Sequence, residues 1–166
     1  IEDILVCYPV LGAAKLERLA HLARRSRISV ALDSLEAASQ LAETARRSDI
    51  RFDILLEVDS GLHRCGLPPG EPVVDLARQI LPLEGVSIAG VCTHAGQAIG
   101  AGTPAERDAI ARFEGESVVF TRDRLRQAVA MLIDREAFID VIDNREGFRK
   151  DGLELPVAYN TAVAPG

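Results

Sequence analysis

Apolar positions in the first two thirds of the chain follow two alternating rhythms. Runs rich in β-branched residues at Asp3 to Tyr8, Ile28 to Leu32, Phe52 to Val58 and Val86 to Thr93 read as strands, and Pro9 stops the first. Helical spacing appears between them. Gly12 to Arg25 sets Ala13, Leu16, Leu19, Ala20 and Ala23 on one stripe, and Glu71 to Leu81 forms the third helix. The second starts at Asp33-Ser34-Leu35-Glu36, which supplies a cap in Asp33 and a reciprocal Glu, and runs to about Arg47. Thr103-Pro104-Ala105-Glu106 opens a fourth, with Pro at the first helical position and a capping-box Glu.

Strands joined by helices of this length are parallel neighbours, because a right-handed crossover connects them and a hairpin does not. The predicted class is α/β, as an open doubly wound sheet or a (β/α)8 barrel. A whole barrel takes about 250 residues. The units visible here amount to half of one: a partial barrel of about four parallel βα units.

The rhythm stops near Val118 to Arg122. Beyond it, Leu125 to Ile142 reads as one long helix, Asp143 to Gly152 as a charged turn, and Leu153 to Tyr159 as an extended run. Residues 1–118 carry 17 acids and 12 bases, whereas residues 119–166 are nearly balanced at 8 and 7, so charge marks the same boundary. Two segments are expected, 1–118 and 119–166.

Composition narrows the class further. At 166 residues, 48% hydrophobic and 27% charged, the chain has the balance of a globular domain. No apolar run approaches the roughly 18 to 20 residues that cross a bilayer. The net charge is −6, and the Arg clusters at 24, 25 and 27 and at 46 and 47 sit at predicted helix ends, so no nucleic-acid surface is expected. Cys7, Cys65 and Cys92 read as buried free thiols, and neither they nor His21, His63 and His94 have metal-ligand spacing, so no metal is expected. The chain opens at Ile1 without an initiator Met or a signal-peptide pattern. That predicts a truncated or processed N-terminus and a cytoplasmic location.

Parallel α/β folds bind ligands at the carboxyl ends of their strands. This rule selects Pro9, Asp33, the loop Asp59 to Gly66, and Thr93 to Gln97. Asp33 reads as a helix cap. In the loop, Gly61 and Gly66 permit unusual backbone angles, while Arg64 offers a rigid fork of donors to a phosphate, carboxylate or phenolate, or pairs with Glu57 or Asp59 at the surface. His94 either faces the mouth of the fold or is a core histidine bonded to backbone. His63 and His21 read as ordinary surface or loop residues.

These residues also carry a resemblance. Asp3-Ile4-Leu5-Val6 with Pro9-Val10-Leu11-Gly12, then Glu57-Val58-Asp59-Ser60-Gly61-Leu62-His63-Arg64-Cys65-Gly66, then Thr93-His94-Ala95-Gly96, resemble the D-threonine aldolase and D-serine dehydratase branch of the alanine racemase N-terminal family. The resemblance covers about residues 1 to 118 and implies a (β/α)8 barrel enzyme that uses pyridoxal phosphate on a D-amino-acid substrate, usually as a dimer. It places Arg64 beside the cofactor's phenolic oxygen and His94 near the pyridine ring. It also calls for a Schiff-base lysine at the end of the first barrel strand. The two lysines, Lys15 and Lys150, do not match that position, which falls upstream of Ile1, so no catalytic lysine is assigned and the chain alone is expected to be inactive.

The tail resembles a different family. Arg126-Gln127-Ala128-Val129-Ala130-Met131-Leu132-Ile133-Asp134-Arg135-Glu136-Ala137-Phe138 is similar to a scaffold helix of the family 5 solute-binding proteins of ABC transporters, which capture peptides or nickel complexes. The two resemblances imply different compartments, and a composite chain joined near Val118 is the simplest expectation. Half a barrel also leaves strand edges unpaired, so self-association is expected.

Overall fold

The computed structural model describes residues 1–130. Strands β1 (Asp3–Val6), β2 (Arg27–Leu32), β3 (Phe52–Val58) and β4 (Val86–Thr93) alternate with helices α1 (Ala13–Ala23), α2 (Leu35–Ser48), α3 (Glu71–Ile80) and α4 (Pro104–Ala130). The strands form one parallel sheet in the order β1-β2-β3-β4, so sequence neighbours are neighbours in space. Helices α1 to α4 pack in the same succession along the sheet. The architecture is α/β, a partial TIM-type barrel of four parallel βα units.

Strand alternation decides which side is core. Ile28, Val30 and Leu32 of β2 and Phe52, Ile54, Leu56 and Val58 of β3 are buried against the helices. The helices answer with Leu16 and Leu19, with Leu41 and Ala45, and with Val73, Val74 and Ile80. The other face of the sheet is open. Near the amino ends of the strands it is crossed by polar contacts, Arg27 Nε donating to Asp53 Oδ2 at 2.7 Å and Ser87 Oγ donating to Asp53 Oδ1 at 2.8 Å. Asp53 accordingly raises the Arg27 pKa, first through that hydrogen bond. In β4 the pairing slips by one place between Ile54 and Leu55, so Ile54 faces Ile88 but Leu55 faces Gly90, and Ala89 is skipped.

Several element ends depart from expectation. β1 ends at Val6 rather than Tyr8, because β2, its only strand partner among the described residues, is in register with it just as far as Val6↔Val30. The cap of α2 is Ser34, whose Oγ accepts from the Ala37 N–H at 3.4 Å, and not Asp33. The fourth helix starts as expected: Glu106 N–H donates to Thr103 Oγ1 at 3.2 Å, and Glu106 Oε2 accepts from Thr103 N–H at 3.1 Å.

Helix α4 passes through Val118 to Arg122 without a break. Past that point Thr121, Leu125 and Ala128 are buried, and Thr121 Oγ1 accepts from the Gly70 N–H at 3.0 Å, tying α4 to the start of α3. The expected continuation of the helix to Ile142, the charged turn at 143–152 and the extended run at 153–159 lie outside the described residues, as does Lys150.

Candidate active site

The carboxyl ends of all four strands build the site. β3 runs into a loop closed at its base, where Asp59 N–H donates to Leu67 O at 2.8 Å and Leu67 N–H donates to Glu57 O at 3.0 Å. Within the loop, Asp59 Oδ1 accepts from the amides of Gly61 at 2.9 Å and His63 at 3.1 Å, while Asp59 Oδ2 lies 2.7 Å from His63 Nδ1. Burial alone would raise the Asp59 carboxyl. The two amide donors and the His63 ring outweigh that and hold it below its ordinary value.

Gly66 closes the turn at φ +96°, and a Cβ there would lie 2.6 Å from Asp59 N. No other residue fits. Its N–H donates to Asp33 Oδ2 at 2.8 Å across |i−j| = 33 residues, which is the partner Asp33 takes in place of the α2 cap. From the other side, Thr93 Oγ1 donates to the buried Ser60 Oγ at 2.6 Å, and Gln97 Nε2 donates to Ser60 O at 2.7 Å. The loop is therefore slung between the ends of β2 and β4.

Arg64 and His94 are both exposed, and both line one cavity of about 580 Å³ on the open face of the sheet, with Cys7, Tyr8, Glu57 and Cys92. His94 is not a core histidine. Close approach at Gly96, where a Cβ would lie 2.9 Å from His94 Nε2 and 2.8 Å from Leu62 Cδ2, lets the His94 ring lie against the β3 loop. Arg64 forms no ion pair with Glu57 or Asp59 among the described residues, which removes the surface-pair alternative. Asp59 is occupied by the loop instead.

Sequence reasoning treated Glu57 only as a partner for Arg64. The structure places it in the cavity wall, 5% exposed, with Oε2 lacking any hydrogen-bond partner. Burial, then the charge of Asp33, push its carboxyl up, while Arg64 and His94 pull the other way. The second-last residue of a strand gives no sign in the sequence of being an orphaned acceptor. Cys7 is exposed and Cys65 and Cys92 are half-buried, so the expectation of buried thiols fails, because the cavity face they line has no covering layer among the described residues. All three are free, and burial, then the charge of Glu57, raise the Cys92 thiol to about 12. His63 and His21 are exposed, as expected of loop and surface residues. Lys15 is exposed on α1 and does not line the cavity. Among the described residues no group of His, Cys, Asp and Glu could hold a metal ion, and no helix is long and apolar enough to cross a membrane.

Known proteins match this arrangement. A D-threonine aldolase of an Arthrobacter species is 37% identical over 112 residues, 68% of this chain and 30% of its own length. The crystal structure of D-threonine aldolase from Filomicrobium marinum superposes with a TM-score of 0.73 at 33% identity, covering 76% of this chain and 34% of that one. The D-threo-3-hydroxyaspartate dehydratase of Delftia sp. HT23 follows at 0.65 and 29%, covering 74% and 33%. The chain thus spans about a third of the length of the relatives it matches. The profile of the alanine racemase N-terminal domain matches residues 4–132, which takes in all of the described strands and helices but for Asp3 at the start of β1, and this chain belongs to that family.

Proposed function

We propose that this chain is the cofactor-contacting part of a pyridoxal-phosphate enzyme acting on D-amino acids, of the D-threonine aldolase kind. One observation carries the reading: Arg64 and His94 share a cavity above Glu57, a buried carboxyl with an unmatched oxygen. A cavity of about 580 Å³ lies in the range of small-ligand sites. When bound, pyridoxal phosphate supplies an electron sink for bonds at the amino acid's α-carbon.

The chain's own residues then bind and orient. Arg64 would hold the group by donating to its phenolic oxygen, and His94 would pack beside its pyridine ring, as the family resemblance implies. Glu57 lies in the wall of the same cavity, where the charges of Arg64 and His94 favour its ionised form against burial. Among the described residues no lysine lines that cavity, so Lys15 is not assigned as the Schiff-base residue and turnover by this chain alone is not expected. The solute-binding resemblance of residues 120–166 gains no support from the comparisons, and most of it lies outside the described residues.

Titration of the purified chain with pyridoxal phosphate, followed by absorbance, tests the reading. Micromolar binding weakened about tenfold or more by Arg64→Ala is expected, in line with losing a charge-assisted hydrogen bond. Affinity indifferent to Arg64→Ala and His94→Ala overturns the site. Borohydride-reducible labelling of Lys15 together with D-threonine cleavage would overturn the inactivity.

A further inference from the structure

Asp33 is the first residue after β2, and the local reason for an aspartate there is absent, since Ser34 caps α2. Its carboxylate reaches across to the next strand's loop and accepts the Gly66 N–H at 2.8 Å, two residues past Arg64. The remaining anchors of that loop come from elsewhere. Asp59 and Leu67 close it from within, and Thr93 and Gln97 hold Ser60 from the β4 side. Asp33 is the restraint from the β2 side.

Gly66 leaves the loop little room to compensate. Its φ of +96° and the 2.6 Å approach of a built Cβ to Asp59 N mean that the turn is already packed against its own base. A shift of the Gly66 amide must therefore move the residues just before it. We propose that Asp33 is a positioning residue for Arg64, a latch that sets where the guanidinium stands over the cavity by holding the Gly66 amide. Its relevance to cofactor binding rests on the function proposed above, but the latch itself does not.

Asp33→Ala removes the acceptor, and Asp33→Asn keeps an acceptor oxygen of the same reach, so the pair separates position from charge. Hydrogen–deuterium exchange needs no cofactor: residues 60–66 should exchange about tenfold or more faster in Asp33→Ala, with peptides of α1 and α3 unchanged and Asp33→Asn close to the parent. Pyridoxal phosphate affinity, read by absorbance, should fall with Asp33→Ala, recover in Asp33→Asn, and show no further fall when Asp33→Ala is added to Arg64→Ala. Parent-like exchange across residues 60–66 in Asp33→Ala overturns the latch. An equal loss of affinity in the presence and absence of Arg64 overturns its action through Arg64. Affinity unchanged by Arg64→Ala alone sinks the cofactor reading, and the exchange measurement still decides for or against the latch.

Discussion

Thr93 Oγ1 donates a 2.6 Å hydrogen bond to Ser60 Oγ, joining the last residue of β4 to the second residue of the β3 loop. Ser60 is 1% exposed, so water does not replace a lost partner. Thr93→Val should destabilise the fold by about 1 kcal/mol, the usual worth of such a bond. Urea denaturation is the check, and an unchanged midpoint would show that the two strand ends are held by something else.

Two glycines with nearly equal φ should respond differently to alanine. Gly12 has φ +92° with nothing within 4 Å of a built Cβ, whereas Gly66 has φ +96° and meets Asp59 N at 2.6 Å and Val58 C at 2.8 Å. Gly12→Ala should cost about 1–3 kcal/mol from backbone strain alone. Gly66→Ala adds overpacking against backbone and should cost at least about 2 kcal/mol more. Equal losses in thermal or urea melts would contradict the packing argument.

Glu57 makes stability depend on pH in a stated direction. Burial first, then Asp33, raise its carboxyl, so the folded chain holds that proton more tightly than the unfolded chain. Stability is fully present below the ordinary glutamic acid range, about 4.3, and is lost as pH rises through the raised pKa. Glu57→Gln carries no such penalty. It should exceed the parent by on the order of 1 kcal/mol at pH 8, with the two curves converging below about pH 4. Parallel curves across this range would mean that the carboxyl is solvated.

The outer edges of β1 and β4 have no strand partner among the described residues, and Leu5 and Tyr8 are 49% and 61% exposed on or beside the open face. Such edges pair with other chains. Concentration-dependent association is expected in sedimentation velocity, and Leu5→Lys should weaken it. A single monomeric species at all concentrations would contradict this.

The alternation of strands and helices was legible because each unit is written in its own local periodicity. Thr103 and Glu106 were legible for the same reason, since the whole capping box spans four residues. Asp33 was misread because Asp33 and Ser34 are both good caps and the contact that distinguishes them lies at Gly66, on another strand. Burial of the cysteines was overestimated because an apolar strand residue is buried only where a second layer covers its face, and Cys7 lies on the uncovered face. Arg64 and His94 could be placed at the cavity from the carboxyl-end rule, whereas the orphaned oxygen of Glu57 needed coordinates.

Ala89 sets the parity of everything after it. Counted in strict alternation from the buried Val86 and Ile88, Cys92 and His94 would fall among the helices. Because one residue is passed over, Gly90 falls opposite Leu55 and Cys92 opposite Glu57, and the even-numbered side chains change sides halfway along β4. The cavity therefore owes its imidazole to a miscount in the weave: the same strand serves as wall of the core at its beginning and as lining of the cavity at its end.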